Sequence, residues 1–240
     1  MDMIITHTKV KTKYIFFLSY FSLLFRILHN LIKHEAIIEM KIEKFTNDDF
    51  AKAAPLAAGA WGDFYADERQ WFIDAVAEYI LRYNYSNPSL ALKAVGDDGV
   101  IHGVLFANFH DDKADVSQWR ENIEAQMTDH ELERFRLLAD YMLEVDGKTV
   151  QCMSDGEVKL SLFISNQKGC GKLLLQEMMD EFLHRDLRHL YLWTDTSCTH
   201  EYYPQHGFTL VGQFLSEVYD SYAPGYTTYI YKKGISSESK

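Results

Sequence analysis

"SNQKGCGKLLLQEMM" (residues 165–179) sets Gly169 and Gly171 between a β-like run and an amphipathic helix. Before it, "EVKLSLFIS" alternates Val158, Leu160, Leu162 and Ile164 with Lys159, Ser161 and Phe163, the period of a strand. After it, Leu174, Leu175, Met178, Met179, Phe182 and Leu183 recur at helical spacing and make one apolar face. A loop that ends a strand and opens a helix leaves the first helical amides unpaired, and the positive end of the helix dipole favours an anion there. The two glycines carry no side chain to block a close approach. The loop lacks the GxxxxGK[ST] of a Walker loop and the three glycines of a Rossmann fingerprint. Taken alone, it serves equally well as a tight turn that allows close helix packing.

Working outward, the second half reads as a strand (158–165), the glycine loop (166–171), a helix (172–184) and the strand "HLYLWTD" (189–195). A short helix follows, then "GFTLVGQF" and "YTTYIYKK" as closing strands. The strand–helix–strand unit implies parallel strands joined by a right-handed connection. Upstream, a short strand over 41–45 leads to Thr46, which caps a helix with Asp49 as a capping box. A helix over 67–83 places Trp71, Phe72, Ala75, Val76, Tyr79 and Ile80 on one face. "SLALKAV" and "VIHGVLFANF", joined by "GDDG", read as a β-hairpin. Residues 111–148 are acidic and helix-favouring, with two helices joined near Thr128 and Asp129. Their buried stripe is Trp119, Ile123, Leu132, Phe135, Leu138 and Leu143. This segment is either an insertion packed on the domain edge or a lid over a substrate.

The chain has 240 residues, 47% hydrophobic and 14% aromatic, enough for a substantial core. Its formal charge of −11 argues against general nucleic-acid binding and suits a cationic or neutral substrate. Cys152, Cys170 and Cys198 show no metal-ligand or disulfide spacing, so no metal is expected and a reducing, cytoplasmic compartment is the default. The first 39 residues differ in composition, with a 12-residue apolar run from Tyr14 to Phe25. A spanning helix needs roughly 20. We expect Met40 to open the domain, residues 1–39 being a leader, an upstream extension of the reading frame or a weak anchor. Membrane association is expected only if that segment is retained as an anchor.

Two motifs in order, "LFISNQKGCGKLLLQEM" and, beyond one strand, "YYPQHGFTLVG", resemble the GNAT superfamily of acyl-coenzyme A dependent acyltransferases. The resemblance implies an α/β fold with a mixed central sheet flanked by helices. It covers a single domain, 40–240, with the helical insertion 111–148 before strand four. It also implies that Gln167, Lys168, Gly169, Cys170, Gly171 and Lys172 cradle the coenzyme pyrophosphate through backbone amides. Aligning the glycines puts the family's Gln or Arg on Asn166; aligning Gln167 leaves the loop one residue short. Phe163 and Ile164 would receive the pantetheine arm where strands four and five splay apart. Tyr203 would stand as general acid near the thioester sulfur, with Tyr202 as its rival. The implied activity is transfer of an acetyl group from acetyl-coenzyme A to a primary amine, on a small molecule or a peptide. A homodimer stays open.

Other residues carry competing readings. Cys170 at a helix start is a conceivable nucleophile, though filler is the stronger reading. Asp195 is a base, a substrate contact or, better, a cap for the next helix. Glu157 is a base acting through water or an exposed strand residue. His200 and His206 lack zinc-site spacing and read as surface or site-lining groups. A non-catalytic module that senses acyl-coenzyme A, and a membrane-associated protein working through its N-terminal segment, are the other functional classes.

Overall fold

The computed structural model describes residues 39–198, 200–220 and 222–236. The reading of the N-terminal 39 residues as a leader or anchor therefore lies outside the described residues, Glu39 excepted. All described elements from Met40 onward belong to one compact unit. Strands β1 (Met40–Lys44), β2 (Ala91–Gly96), β3 (Ile101–Phe109), β4 (Val158–Ser165), β5 (His189–Asp195), β6 (Thr209–Leu215) and β7 (Thr227–Gly234) form one mixed sheet. Its order is β1-β2-β3-β4-β5-β7-β6. Helices α1 (Phe50–Trp61), α2 (Gln70–Asn84), α3 (Ser117–Glu124), α4 (Asp129–Gln151), α5 (Cys170–His184) and α6 (Tyr202–Gln205) connect them. The β2–β3 hairpin is antiparallel and β4 runs parallel to β5. Among the described residues, no helix is long and apolar enough to cross a membrane.

Local signals explain the element starts. The Asp49 carboxylate accepts from Thr46 N at 2.9 Å and Thr46 Oγ1 at 3.0 Å, which closes the capping box ahead of α1. A second box opens α4, where Thr128 Oγ1 accepts from Glu131 N and the Glu131 carboxylate accepts from Thr128 N. Two cores result, one on each face of the sheet. Phe45, Phe72, Tyr79, Phe106, Phe135 and Leu162 belong to the core that α1, α2 and α4 share. Leu105, Val158, Leu174, Met178, Phe182 and Leu190 belong to the one beneath α5.

Two expectations are corrected. The alternation along β4 does not keep one face: Val158 and Leu160 pack in the α5 core, while Leu162 and Ile164 pack in the other. The register jumps between Phe106↔Leu162 and Ala107↔Leu160, so Ser161 is an extra residue in a β-bulge that switches side-chain parity. Lys159 and Ser161 are both buried, Lys159 against Asp146 of α4 and Ser161 against Asn108. Leu143 is 54% exposed, whereas Tyr141, Met142 and Val145 are buried, because the covered stripe of α4 follows Phe135, Ala139 and Met142.

Candidate active site

Strands β4 and β5 pair only at Val158↔Leu190 and Lys159↔Tyr191, although both continue for several residues. Beyond those pairs the strands part, and β4 backbone groups on that side have no neighbour strand. The Ser161 bulge lies at the opening, and Ser161 Oγ is held by Asn108 Nδ2 at 2.9 Å. A cavity of about 590 Å³ occupies the region between the strands. Its walls come from β4 (Leu160 to Phe163), β5 (Leu192 to Asp195), α4 (including Tyr141) and the β6–β7 connection (Tyr219, Tyr226). The helical insertion thus lines the cavity and is not merely an edge ornament.

At one side of the opening stands the glycine loop. Gly169 is the N-cap of α5 with φ 85°, a backbone conformation that favours glycine, and no side chain caps the helix. Gly171 lies within the first turn, where a Cβ would come within 3.0 Å of Ser165 Oγ and 3.1 Å of Phe163 Cζ. Asn166 is fixed to β3 by its amide, which donates to His102 O at 3.0 Å. Gln167 is half-buried, and Lys168 and Lys172 are exposed. Cys170 is fully buried, and burial pushes its thiol pKa up, opposite to what a nucleophile at a helix start requires. Only its backbone is available to a ligand. Phe163, 40% exposed, touches both Gly171's surroundings and the cavity.

At the other side, α6 carries the two rival tyrosines. Tyr203 lines the cavity, packed edge-on against Phe208 and beside Tyr231. Burial, with smaller contributions from Cys198 and neighbouring tyrosines, pushes its phenol up to about 12. Tyr202 is 49% exposed and stacks on His206 with ring centroids 3.6 Å apart. The two rings meet edge-on with centroids 5.6 Å apart, but only Tyr203 lines the cavity. His200 stacks on Tyr229, and neither histidine lines the cavity.

Asp195, 6% exposed, ends β5 inside the cavity wall. Its Oδ1 accepts from Ser197 N at 2.9 Å and Ser197 Oγ at 2.5 Å; its Oδ2 accepts from Tyr141 Oη at 3.2 Å. It therefore caps a turn, not a helix. Glu157 sits at the opposite end of β4 and is neither exposed nor near the cavity. It is buried and contacts His189 Nδ1 and Lys232 Nζ. Burial works to raise its pKa, but hydrogen bonds from Ser154 N, Tyr191 and His189, with the charge of Lys232, hold it below the usual carboxylate range. The reading of Glu157 as a base or exposed strand residue is replaced by that of a structural ion pair. Asp67, Glu68 and His130 lie close together at the surface, but Arg134 already bonds both carboxylates at 2.8 Å.

Tyr141, Tyr219 and Tyr226 were not singled out from sequence. The density of tyrosine in "EVYDSYAPGYTTYIY" (217–231) was the available signal.

The mixed sheet flanked by helices that was expected is present, open between β4 and β5 with an uncapped helix start at the opening. By sequence, no family model and no curated protein matches the chain. Solved structures do. The C-terminal condensation domain of Ebony in complex with beta-alanyl-dopamine aligns at TM-score 0.51 and 10% identity, over 83% of this chain and 100% of that one. Arylalkylamine N-acetyltransferase 2 from Aedes aegypti aligns at TM-score 0.46 and 17% identity, over 82% and 100%. PaiA N-acetyltransferase from Thermoplasma acidophilum, in complex with coenzyme A, aligns at TM-score 0.48 and 14% identity, over 82% and 99%. At these identities the likeness is one of fold.

Proposed function

We propose that the chain is a cytoplasmic N-acyltransferase, its activity housed in residues 40–240, that moves an acetyl group from acetyl-coenzyme A to a primary amine by direct attack. The observation that carries this is the opening between β4 and β5, which has an anion-favouring helix start on one side and the Tyr203 phenol on the other. The cradle fits a phosphate group in kind: the helix start is uncapped by any side chain and Gly169 leaves open space beside it, while Gly171 lets Ser165 and Phe163 pack close. Backbone amides of Gln167 to Lys172 would hold the pyrophosphate, with Lys168 and Lys172 adding positive charge. The free backbone edge at Phe163 and Ile164 would receive the pantetheine arm.

In the reaction the bound ammonium first loses its extra proton to water; the neutral amine nitrogen then forms the C–N bond and releases a second proton to water as the C–S bond breaks, and the departing thiolate gains one proton from a donor that solvent reprotonates. Tyr203 supplies that last proton. A phenol with its pKa pushed up to about 12 is fully protonated at neutral pH, the state a general acid requires.

The test is coenzyme release from acetyl-coenzyme A over a panel of amines, with coenzyme binding measured by calorimetry. Tyr203→Phe should lower kcat by ~10²–10⁴ with coenzyme affinity unchanged, and Tyr202→Phe should be mild. Full kcat in Tyr203→Phe, measured where chemistry limits the rate, removes the residue from the mechanism. Coenzyme binding without turnover of any amine replaces the enzyme with an acyl-coenzyme A sensing module.

A further inference from the structure

The cavity wall has a chemistry that narrows the acceptor. Among its described residues, Arg134 and Asp195 are the charged ones. Arg134 is not available to a ligand: it bonds Asp67 and Glu68 at 2.8 Å and Phe64 O at 2.6 Å, and its guanidinium lies 4.9 Å from the Tyr65 ring centroid. A substrate carboxylate or phosphate would therefore meet no free cation there. Asp195 remains, a buried carboxylate set among rings. Tyr141 is the hub of those rings, with centroids 5.9 Å from Trp193, 4.7 Å from Tyr219 and 5.6 Å from Tyr226. Tyr219 and Tyr226 pack on each other at 4.9 Å.

Asp195 has three described donors, Ser197 N, Ser197 Oγ and the distant Tyr141 hydroxyl. The Tyr226 phenol also lies against this carboxylate, so an incoming ammonium reaches it by displacing a phenol, the long Tyr141 bond first. Tyr141 Oη has a second partner in Thr228 Oγ1 at 2.8 Å, so it stays satisfied if its long bond to Asp195 yields. An ammonium brought to Asp195 meets a charge-assisted acceptor and the negative faces of tyrosine rings. The body of such a ligand meets aromatic surface. A polyamine would leave its further charges against those rings with no second carboxylate, and an amino acid would bury its own carboxylate unpaired.

We infer that the acceptor is a monocationic primary amine with an aromatic or bulky apolar body and no acidic group, its nitrogen recognised by Asp195 and its body by the Tyr141, Tyr219, Tyr226 and Trp193 rings. This rests on the acyl-transfer reading of the same cavity.

The experiment uses the full chain with 2-phenylethylamine, spermidine, lysine and a short peptide with a free amino terminus. It measures amine binding by calorimetry and, separately, coenzyme release. The expected result is that 2-phenylethylamine binds and is turned over with kcat/KM at least tenfold above the other three. Asp195→Asn, which keeps the acceptor toward Ser197, should raise the KM or Kd for 2-phenylethylamine at least tenfold while leaving acetyl-coenzyme A affinity unchanged. Tyr219→Leu is the second variant and should weaken the same amine without touching the polyamine. Preference for spermidine, lysine or the peptide overturns the inference and leaves the acyl-transfer reading standing. Binding of 2-phenylethylamine that depends on Asp195, without any turnover, supports the recognition site and overturns the acyl-transfer reading instead. Absence of binding and turnover for 2-phenylethylamine overturns the inference.

Discussion

Gly169 and Gly171 serve different physical needs in the same loop. Gly169 is required by its positive φ, and Gly171 by the proximity of Ser165 and Phe163. A side chain at Gly169 has open space but a strained backbone, so Gly169→Ala should lower stability by about 1–2 kcal/mol, read as a shifted denaturation midpoint. Gly171→Val should instead displace Phe163 at the cavity and crowd the helix start. If one charge-assisted hydrogen bond to the coenzyme is lost, ~1.5–3 kcal/mol of binding goes with it, roughly a ten- to hundredfold rise in Kd by calorimetry. A folded Gly171→Val protein with unchanged affinity reduces the loop to a turn. The motif showed that glycines were needed; the two reasons were separable only once φ and neighbours were known.

At the scale of elements, α4 is joined to β4 by an ion pair between Lys159 Nζ and Asp146 Oδ1, 2.7 Å apart but off the hydrogen-bonding direction. Lys159 is almost fully buried. Asp146→Leu leaves that ammonium without its partner and should cost about 3–5 kcal/mol. In a domain of this size the melting temperature should fall by ~2–4 °C for each of those. The double variant Lys159→Met, Asp146→Leu should recover most of the loss, because two apolar groups need no partner. A single variant as stable as the parent would show that α4 is held by its apolar stripe alone. The alternation read from the sequence sets Lys159 on the face opposite Val158, Leu160, Leu162 and Ile164 alike. The bulge at Ser161 brings Leu162 and Ile164 to the opposite core from Val158 and Leu160, and no local signal at Ser161 marks it, since the extra residue is defined by the partner strand.

For the whole molecule, tyrosine burial sets an alkaline limit. Burial first, then neighbouring charges, pushes Tyr79, Tyr203 and Tyr219 up to about 12, and raises Tyr65, Tyr83, Tyr141 and Tyr226 further. Unfolded tyrosine titrates near about 10. A group whose folded pKa lies above its unfolded one contributes stability that is complete below the unfolded value and lost as pH rises toward the folded one. Stability should therefore hold to about pH 10 and fall steeply between there and about 12, with tyrosinate absorbance and loss of helical circular dichroism rising together. Complete tyrosinate formation near pH ~10 in a protein that is still folded would contradict this burial.

The order of elements, the β2–β3 hairpin, the glycine loop before α5 and the place of Tyr203 in "YYPQHGF" were legible in the chain. Periodicity, capping residues and turn glycines act over a few residues, and they leave a direct record in the order of amino acids. Which face of β4 looks into which core, the gap between β4 and β5, and the meeting of Asp195 with Tyr141, Tyr219 and Tyr226 were decided by tertiary structure alone. Those features depend on the register between strands distant in sequence and on how α4 lies across the sheet. Tyr141 and Asp195 are 54 positions apart in the chain, and only the packed sheet brings their oxygens within 3.2 Å.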